Sequence, residues 1–193
     1  MNGYSVKNTF ARFIAEFDAI ADLPEDRLFA RGSSLLVNLV ATDDWLPEEY
    51  RVSDPTRYRQ YLLHRDDRVR FSVASFVWGP GQATPIHDHC TWGLIGILRG
   101  VEISTRFDLT DNGLVERVPE HRLLQGEVDM VSPTVGDIHR VTNGLVDDCS
   151  ISIHVYGGDI GKVQRHTYQA DGTVSEFVSG YSNSVPDGSF SIA

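Results

Sequence analysis

The apolar positions of this chain change their period once, near residue 68. Before that point Val6, Phe10, Phe13, Ile14 and Phe17 recur at helical spacing, as do Leu28, Leu35, Leu36, Leu39 and Val40, which predicts two amphipathic helices. A third helix is expected from Asp54-Pro55, a capping residue followed by proline at the first helical position. It would run through Arg57, Tyr58, Gln60 and Leu63 toward Arg68, with Gln60 on its polar face. From Val69 the period falls to two, and the first such segment ends at Gly79-Pro80-Gly81. Further turn residues fall at Leu98-Arg99-Gly100, Asp111-Asn112-Gly113, Gln125-Gly126 and Asp171-Gly172, and strands follow strands to about Phe177. Strand after strand without intervening helices is the layout of a β-barrel or jelly roll, so the fold class is mainly β. The expected organisation is one domain, with a helical flank over 1–68, a barrel over 69–178 and a tail over 179–193. That tail is rich in Ser, Gly and Pro, so it is either mobile or laid over the barrel.

Composition narrows what such a barrel can do. At 193 residues and 41% hydrophobic the chain can bury a full core in a single domain. Its 17 basic and 27 acidic residues give a formal charge of -10, which repels phosphate backbones and anionic lipid and argues against nucleic acid or a membrane as partner. The sequence holds no apolar run of membrane-spanning length, and Met1-Asn2-Gly3-Tyr4-Ser5 lacks the basic-then-apolar layout of a signal peptide. A cytoplasmic protein is expected, with Cys90 and Cys149 as reduced, buried thiols. His64, His121 and His166 have no spacing partner and are expected on the surface or in packing, and Trp92 either walls a pocket or sits in the core.

Three other histidines do have spacing. His87 and His89 are two apart, so on a strand both imidazoles leave one face, and His139 in Gly136-Asp137-Ile138-His139 can close a triangle from a neighbouring strand. Such a face would bind a metal ion. Three imidazoles are neutral, so a divalent ion would keep its whole charge and favour anionic ligands from a substrate. The spacing alone admits zinc as well as iron. A second alternation, Ser152-Ile153-His154-Val155-Tyr156, puts Ser152, His154 and Tyr156 on one strand face. They could form a hydrogen-bonded row ending in a phenol, or simply a polar face turned to solvent.

Gly81, His87, His89 and Gly100 resemble the first motif of the cupin superfamily, and Gly136, His139 and Asn143 resemble its second. The glutamate of the first motif is replaced by Gly93. Thiol dioxygenases lack this carboxylate, and the resemblance to them extends to the Ser152, His154 and Tyr156 row, to the text Tyr58-Arg59-Gln60-Tyr61-Leu62-Leu63 and to Arg165, over about Tyr50 to Tyr181. It is strongest to the bacterial 3-mercaptopropionate dioxygenases. The resemblance implies a cupin barrel holding Fe(II) on His87, His89 and His139, a proton-positioning row of Tyr156, His154 and Ser152, and Arg165 with Gln60 on the polar end of a small thiol that reacts with O2. Some cysteine dioxygenases link the active-site tyrosine to a cysteine, but the matching cysteine position is Gly93, so Tyr156 should be unlinked. The alternatives are a cysteine dioxygenase acting on L-cysteine, a zinc or manganese cupin isomerase or hydrolase, and a cupin that only binds a small ligand.

Overall fold

The structure, a computed structural model, describes residues 3–111 and 113–193. Asn112, the middle of an expected turn, lies outside the described residues, as does the side chain of Val6. Helices α1 (Gly3–Asp18) and α2 (Glu25–Val40) lie where the helical spacing places them. Among the described residues twelve strands follow: β1 (Arg59–Arg65), β2 (Phe71–Trp78), β3 (Ile86–His87), β4 (Gly93–Arg99), β5 (Val101–Thr110), β6 (Gly113–Leu124), β7 (Val128–Val131), β8 (His139–Asn143), β9 (Ser150–Gly157), β10 (Arg165–Tyr168), β11 (Val174–Phe177) and β12 (Phe190–Ser191). They form two six-stranded antiparallel sheets, ordered β12-β1-β2-β9-β4-β7 and β11-β10-β3-β8-β5-β6. A cavity lined by residues of both sheets lies between them, as in a jelly-roll barrel of the cupin kind. None of the described helices is long and apolar enough to cross a membrane.

The first sheet is buried on both faces, and that sets where chemistry can go. On one face Leu63, Phe71, Val73, Val77, Leu94 and Ile153 pack with Phe13, Phe17, Leu36 and Leu39 of the helices into the main apolar core. On the other, Ala74, Phe76, Trp78 and Tyr156 point into the barrel with a smaller apolar cluster. Every residue of β2 is buried as a result. The helices approach the sheet closely: a Cβ on Gly96 would lie 2.8 Å from Leu36 Cγ. With the main core outside the barrel, the barrel interior is free to hold polar groups.

The helix expected from Asp54 is absent. Residues 59–65 are strand β1, paired with β2 in the register Gln60↔Phe76, so the barrel begins ten residues earlier than Val69. The Asp54 carboxylate does cap, but what it caps is a turn, accepting from the Thr56 amide at 2.8 Å. Tyr61, Leu62 and Leu63 form a continuous buried run because both faces of β1 are covered, and such a run carries no period of its own. Gln60 therefore faces the barrel cavity instead of lying on a helix surface. The tail is laid over the barrel. Ser182 exchanges hydrogen bonds with both backbone groups of Gln60, Asn183 does the same with Leu62, and Phe190–Ser191 adds an edge strand to β1. Arg65 anchors the same segment through the carbonyls of Pro186 and Gly188 and a buried ion pair with Asp159 at 3.0 Å.

Phe17 is fully buried, with Phe71 of β2 at 5.0 Å and Trp92 at 6.2 Å between ring centroids, so it joins the helices to the sheet. Phe17→Ala should cost roughly 3–5 kcal/mol of stability by denaturant unfolding. A loss within the range of an ordinary surface substitution, about 0.5 kcal/mol, would contradict this placement of the core.

Candidate metal centre

His87 on β3 pairs directly with His139 on β8, and His89 follows two residues after His87. The three rings form an equilateral triangle with centroids 4.9 Å apart, and their ligand nitrogens lie within 4.8 Å of one another. Each Nδ1 is held from behind. The Pro85 carbonyl meets His87 at 3.1 Å, Asp137 Oδ1 meets His89 at 2.9 Å and Ser104 Oγ meets His139 at 3.3 Å. A carbonyl and a carboxylate can only accept, so Nδ1 of His87 and of His89 carries the proton and Nε2 presents a lone pair. His89 Nε2 is buried with no partner. Leaving such an atom unpaired is costly, and a metal ion at the centre of the triangle would satisfy it. Burial, with the neighbouring imidazole of His89, pushes the pKa of His87 down to about 3, and burial does the same to His139. Both are therefore neutral, the form that ligates. The residues present fit a three-nitrogen site for a divalent ion.

No carboxylate joins them from position 93. A Cβ on Gly93 would lie 2.7 Å from Tyr156 Cε1, so glycine lets the tyrosine ring lie flat against β4. That ring stacks on His89 at 5.3 Å, which brings the phenol beside the triad. Tyr156 Oη meets His154 Nδ1 at 2.7 Å, and His154 Nε2 meets Ser152 Oγ at 2.7 Å. All three residues are buried inside the barrel, so the alternation on β9 is a hydrogen-bonded row and not a solvent-facing strand face. The Phe76 ring covers His154 at 4.1 Å. Burial raises the Tyr156 phenol and lowers His154, so the phenol keeps its proton and the imidazole is uncharged at neutral pH.

His87 and His139 of the triad and His154 and Tyr156 of the row line a cavity of about 280 Å³. Gln60 and Arg165 line its wall beside Tyr58, Phe76 and Phe177. Arg165 lies over the Phe177 ring at 4.6 Å and donates to Ser179 Oγ at 2.6 Å, yet its Nε is buried without an acceptor. Gln60 Nε2 is likewise buried and unpaired. Two orphaned donors in one small cavity suit an anionic group on a ligand.

Sequence reasoning passed over several residues that shape this site. Asp137 fixes His89 through both ring and backbone nitrogen, and it also accepts from the Cys90 amide. Its signal was available, a carboxylate two positions before the ligand His139. Ser104 and Tyr58 gave no comparable signal. Cys90 is exposed, not a buried core thiol, because β3 ends at His87 and Cys90 turns in the left-handed region at φ 54. Partial burial, with the Asp88 carboxylate beside it, pushes the thiol up to about 11. Cys149 is half-buried. Trp92 belongs to the core through Phe17 and does not line the cavity. His64 packs on Phe71 and His121 is exposed, but His166 does more than pack, since its ring and amide both bind Asp88.

Residues 33–169 match the model of the family described as cysteine dioxygenase type I. Cysteine dioxygenase type 1 of Rattus norvegicus is 27% identical over 110 residues, covering 55% of this chain and 54% of that protein. The protein of the same name from Danio rerio is 26% identical over 117 residues, covering 58% and 56%. The chain thus spans about half the length of the curated relatives it matches. Among solved structures, a double-stranded β-helix protein of Klebsiella pneumoniae aligns with TM-score 0.47 and 13% identity over 67% of this chain and 91% of that one. A cupin superfamily protein of Desulfitobacterium hafniense aligns with TM-score 0.43 and 16% identity over 56% and 84%.

Three outcomes are expected at this centre. His89→Ala should lose most bound divalent metal while circular dichroism shows the fold intact, and Asp137→Ala should weaken metal binding by roughly 10–100-fold. Full occupancy in a folded His89→Ala protein would contradict the triad. With glycine at position 93, the intact mass should equal the sequence mass before and after many turnovers. A stable loss of two hydrogens on a peptide linking Cys90 to Tyr156 would contradict the separation of the exposed thiol from the ring.

Proposed function

The chain belongs to the cysteine dioxygenase type I family, and from that premise we propose that it adds both atoms of O2 to the sulfur of a small thiol carboxylate, 3-mercaptopropionate, giving the sulfinate. The observation that carries the substrate assignment is the pair of orphaned donors, Arg165 Nε and Gln60 Nε2, in the same cavity as the histidine triad. Bound by His87, His89 and His139, ferrous iron would supply open coordination positions for thiolate and O2 and the electrons that activate oxygen.

The chain's own residues do the rest. Three neutral imidazoles leave the ion's charge uncompensated, which favours a thiolate over a neutral thiol. Arg165 holds the carboxylate by a charge-assisted hydrogen bond, and Gln60 adds a neutral donor beside it. Neither contact asks for an amine on the substrate. Tyr58, Phe76, Trp78 and Phe177 wall the cavity with aromatic surface, which limits water around the reacting groups. Tyr156, oriented by His154 and Ser152, holds a proton at the phenol oxygen over the triad. L-cysteine is the second reading, favoured by the curated relatives, which are named for it. In cysteine dioxygenases resembling this chain an arginine stands at the Gln60 position to grip the carboxylate. Gln60 has no charge and no bidentate fork, which shifts the preference toward a thiol held mainly from the Arg165 side.

Steady-state O2 uptake with three thiols tests both readings. We expect a higher kcat/KM with 3-mercaptopropionate than with L-cysteine. Arg165→Ala should lower kcat/KM for 3-mercaptopropionate by roughly 10–100-fold, the worth of a hydrogen bond to a charged group, and change that for cysteamine far less. Equal or better turnover of L-cysteine would overturn the substrate and leave thiol oxidation standing.

A further inference from the structure

Glu102 stands on β5 with its carboxyl fully buried inside the barrel, outside the metal and substrate roles above. It shares its strand face with Ser104, the partner of His139. Its cross-strand neighbours are Leu123 on β6 and Asn143 on β8. Leucine is apolar, and the Asn143 amide is occupied by the carbonyls of Trp78, Gly79 and Asp148. From β9 the hydroxyls of Ser150 and Ser152 come against the carboxyl, and from β2 the Trp78 indole. These contacts are loose, since neither carboxyl oxygen nor Ser150 Oγ has a partner at good hydrogen-bond geometry. Among the described residues no cation compensates Glu102, and the titratable groups near it are those of the row, His154 and Tyr156. Burial pushes the carboxyl up to about 8, so at neutral pH it carries a proton.

Ser152, hydrogen-bonded to His154, also comes against this carboxyl without a hydrogen bond of good geometry, which sets the unpartnered Glu102 at the inner end of the row of Ser152, His154 and Tyr156. We propose that Glu102 is the inner terminus of the row and that its proton sets the direction of every hydrogen bond out to the cavity. The inference rests on the reading that Tyr156 serves a proton there. A serine hydroxyl has one proton to give, and a neutral imidazole has one donor and one acceptor nitrogen. With Glu102 protonated, it donates to Ser152 Oγ, Ser152 donates to His154 Nε2, His154 Nδ1–H donates to Tyr156 Oη, and the phenol proton points into the cavity. With Glu102 ionised, Ser152 donates to the carboxylate, His154 Nε2–H to Ser152, and Tyr156 back to His154 Nδ1. The two states differ by one proton. Tyr156 releases its proton to the cavity and takes another from His154, His154 takes one at Nε2 from Ser152, and Ser152 takes that of Glu102. His154 stays neutral throughout, and the negative charge ends on Glu102.

Infrared spectroscopy of metal-free protein tests this without turnover. Wild type should show the C=O stretch of a protonated buried carboxyl at neutral pH, lost as pH rises through about 8, and Glu102→Gln should lack it. Ser152→Ala cuts the row and removes a hydroxyl that favours the charged carboxyl, so there the band should persist to higher pH. No band dependent on Glu102, or an unchanged titration in Ser152→Ala, would overturn the proposal. In iron-loaded protein, kcat should fall at alkaline pH in wild type and stay level in Glu102→Gln, with KM alike, because the amide donates to Ser152 at every pH. The same alkaline fall in both would also overturn it. A chain that oxidised no thiol would refute the proposed function, and the infrared band would still decide the role of Glu102.

Discussion

Three imidazoles buried within ring-centroid distances of 4.9 Å are the constraint on which this structure depends. Burial keeps His87 and His139 uncharged, because a protonated imidazole there would give up its water. Neutral imidazole has one donor and one acceptor nitrogen, and each Nδ1 is held from behind by Pro85, Asp137 or Ser104. What remains is the Nε2 lone pairs of His87 and His89 turned to the same centre as His139, an arrangement with no favourable outcome in an apolar core and a good one around a divalent ion. The strained backbone at Cys90 belongs to the same device. Its left-handed turn brings the amides of His89 and Cys90 onto the Asp137 carboxylate, a cost of about 1–3 kcal/mol held in place by two hydrogen bonds.

The layering of the first sheet lets such a polar cluster exist inside a stable protein. Alternate residues of β2 and β9 face either the helices or the barrel, and the helix side carries the main apolar core. The barrel side can then hold Ser152, His154, Tyr156 and Glu102 without emptying the core. The tail closes the construction at the edge. By bonding the backbone of Gln60 and Leu62 it fixes the strand that carries Gln60 into the cavity, and Arg65 ties it down beside a buried Asp159.

What could be read from the sequence follows from which residues carry a period or a motif. The two helices were legible because one face of each is exposed, which leaves the apolar stripe visible. The row was legible because a spacing of two on a strand has one geometric meaning, whereas the triad was legible through its His-x-His spacing although His89 lies two residues past the end of β3. Strand β1 was not, since Tyr61, Leu62 and Leu63 are covered on both sides and the capping text at Asp54 serves a turn. The exposure of Cys90 escaped because strand alternation was extended past the end of β3. Glu102 escaped for another reason. A glutamate in a strand normally marks a solvent face, and only the three-dimensional arrangement puts Ser152 beside it.

The central claim is that the triad and its row direct both atoms of O2 onto one sulfur. Turnover of 3-mercaptopropionate under isotopically labelled O2, with mass analysis of the product, tests it most directly. The account predicts a sulfinate carrying two labelled oxygen atoms from a single O2. A product that is chiefly disulfide, or a sulfinate with one oxygen drawn from water, would contradict it.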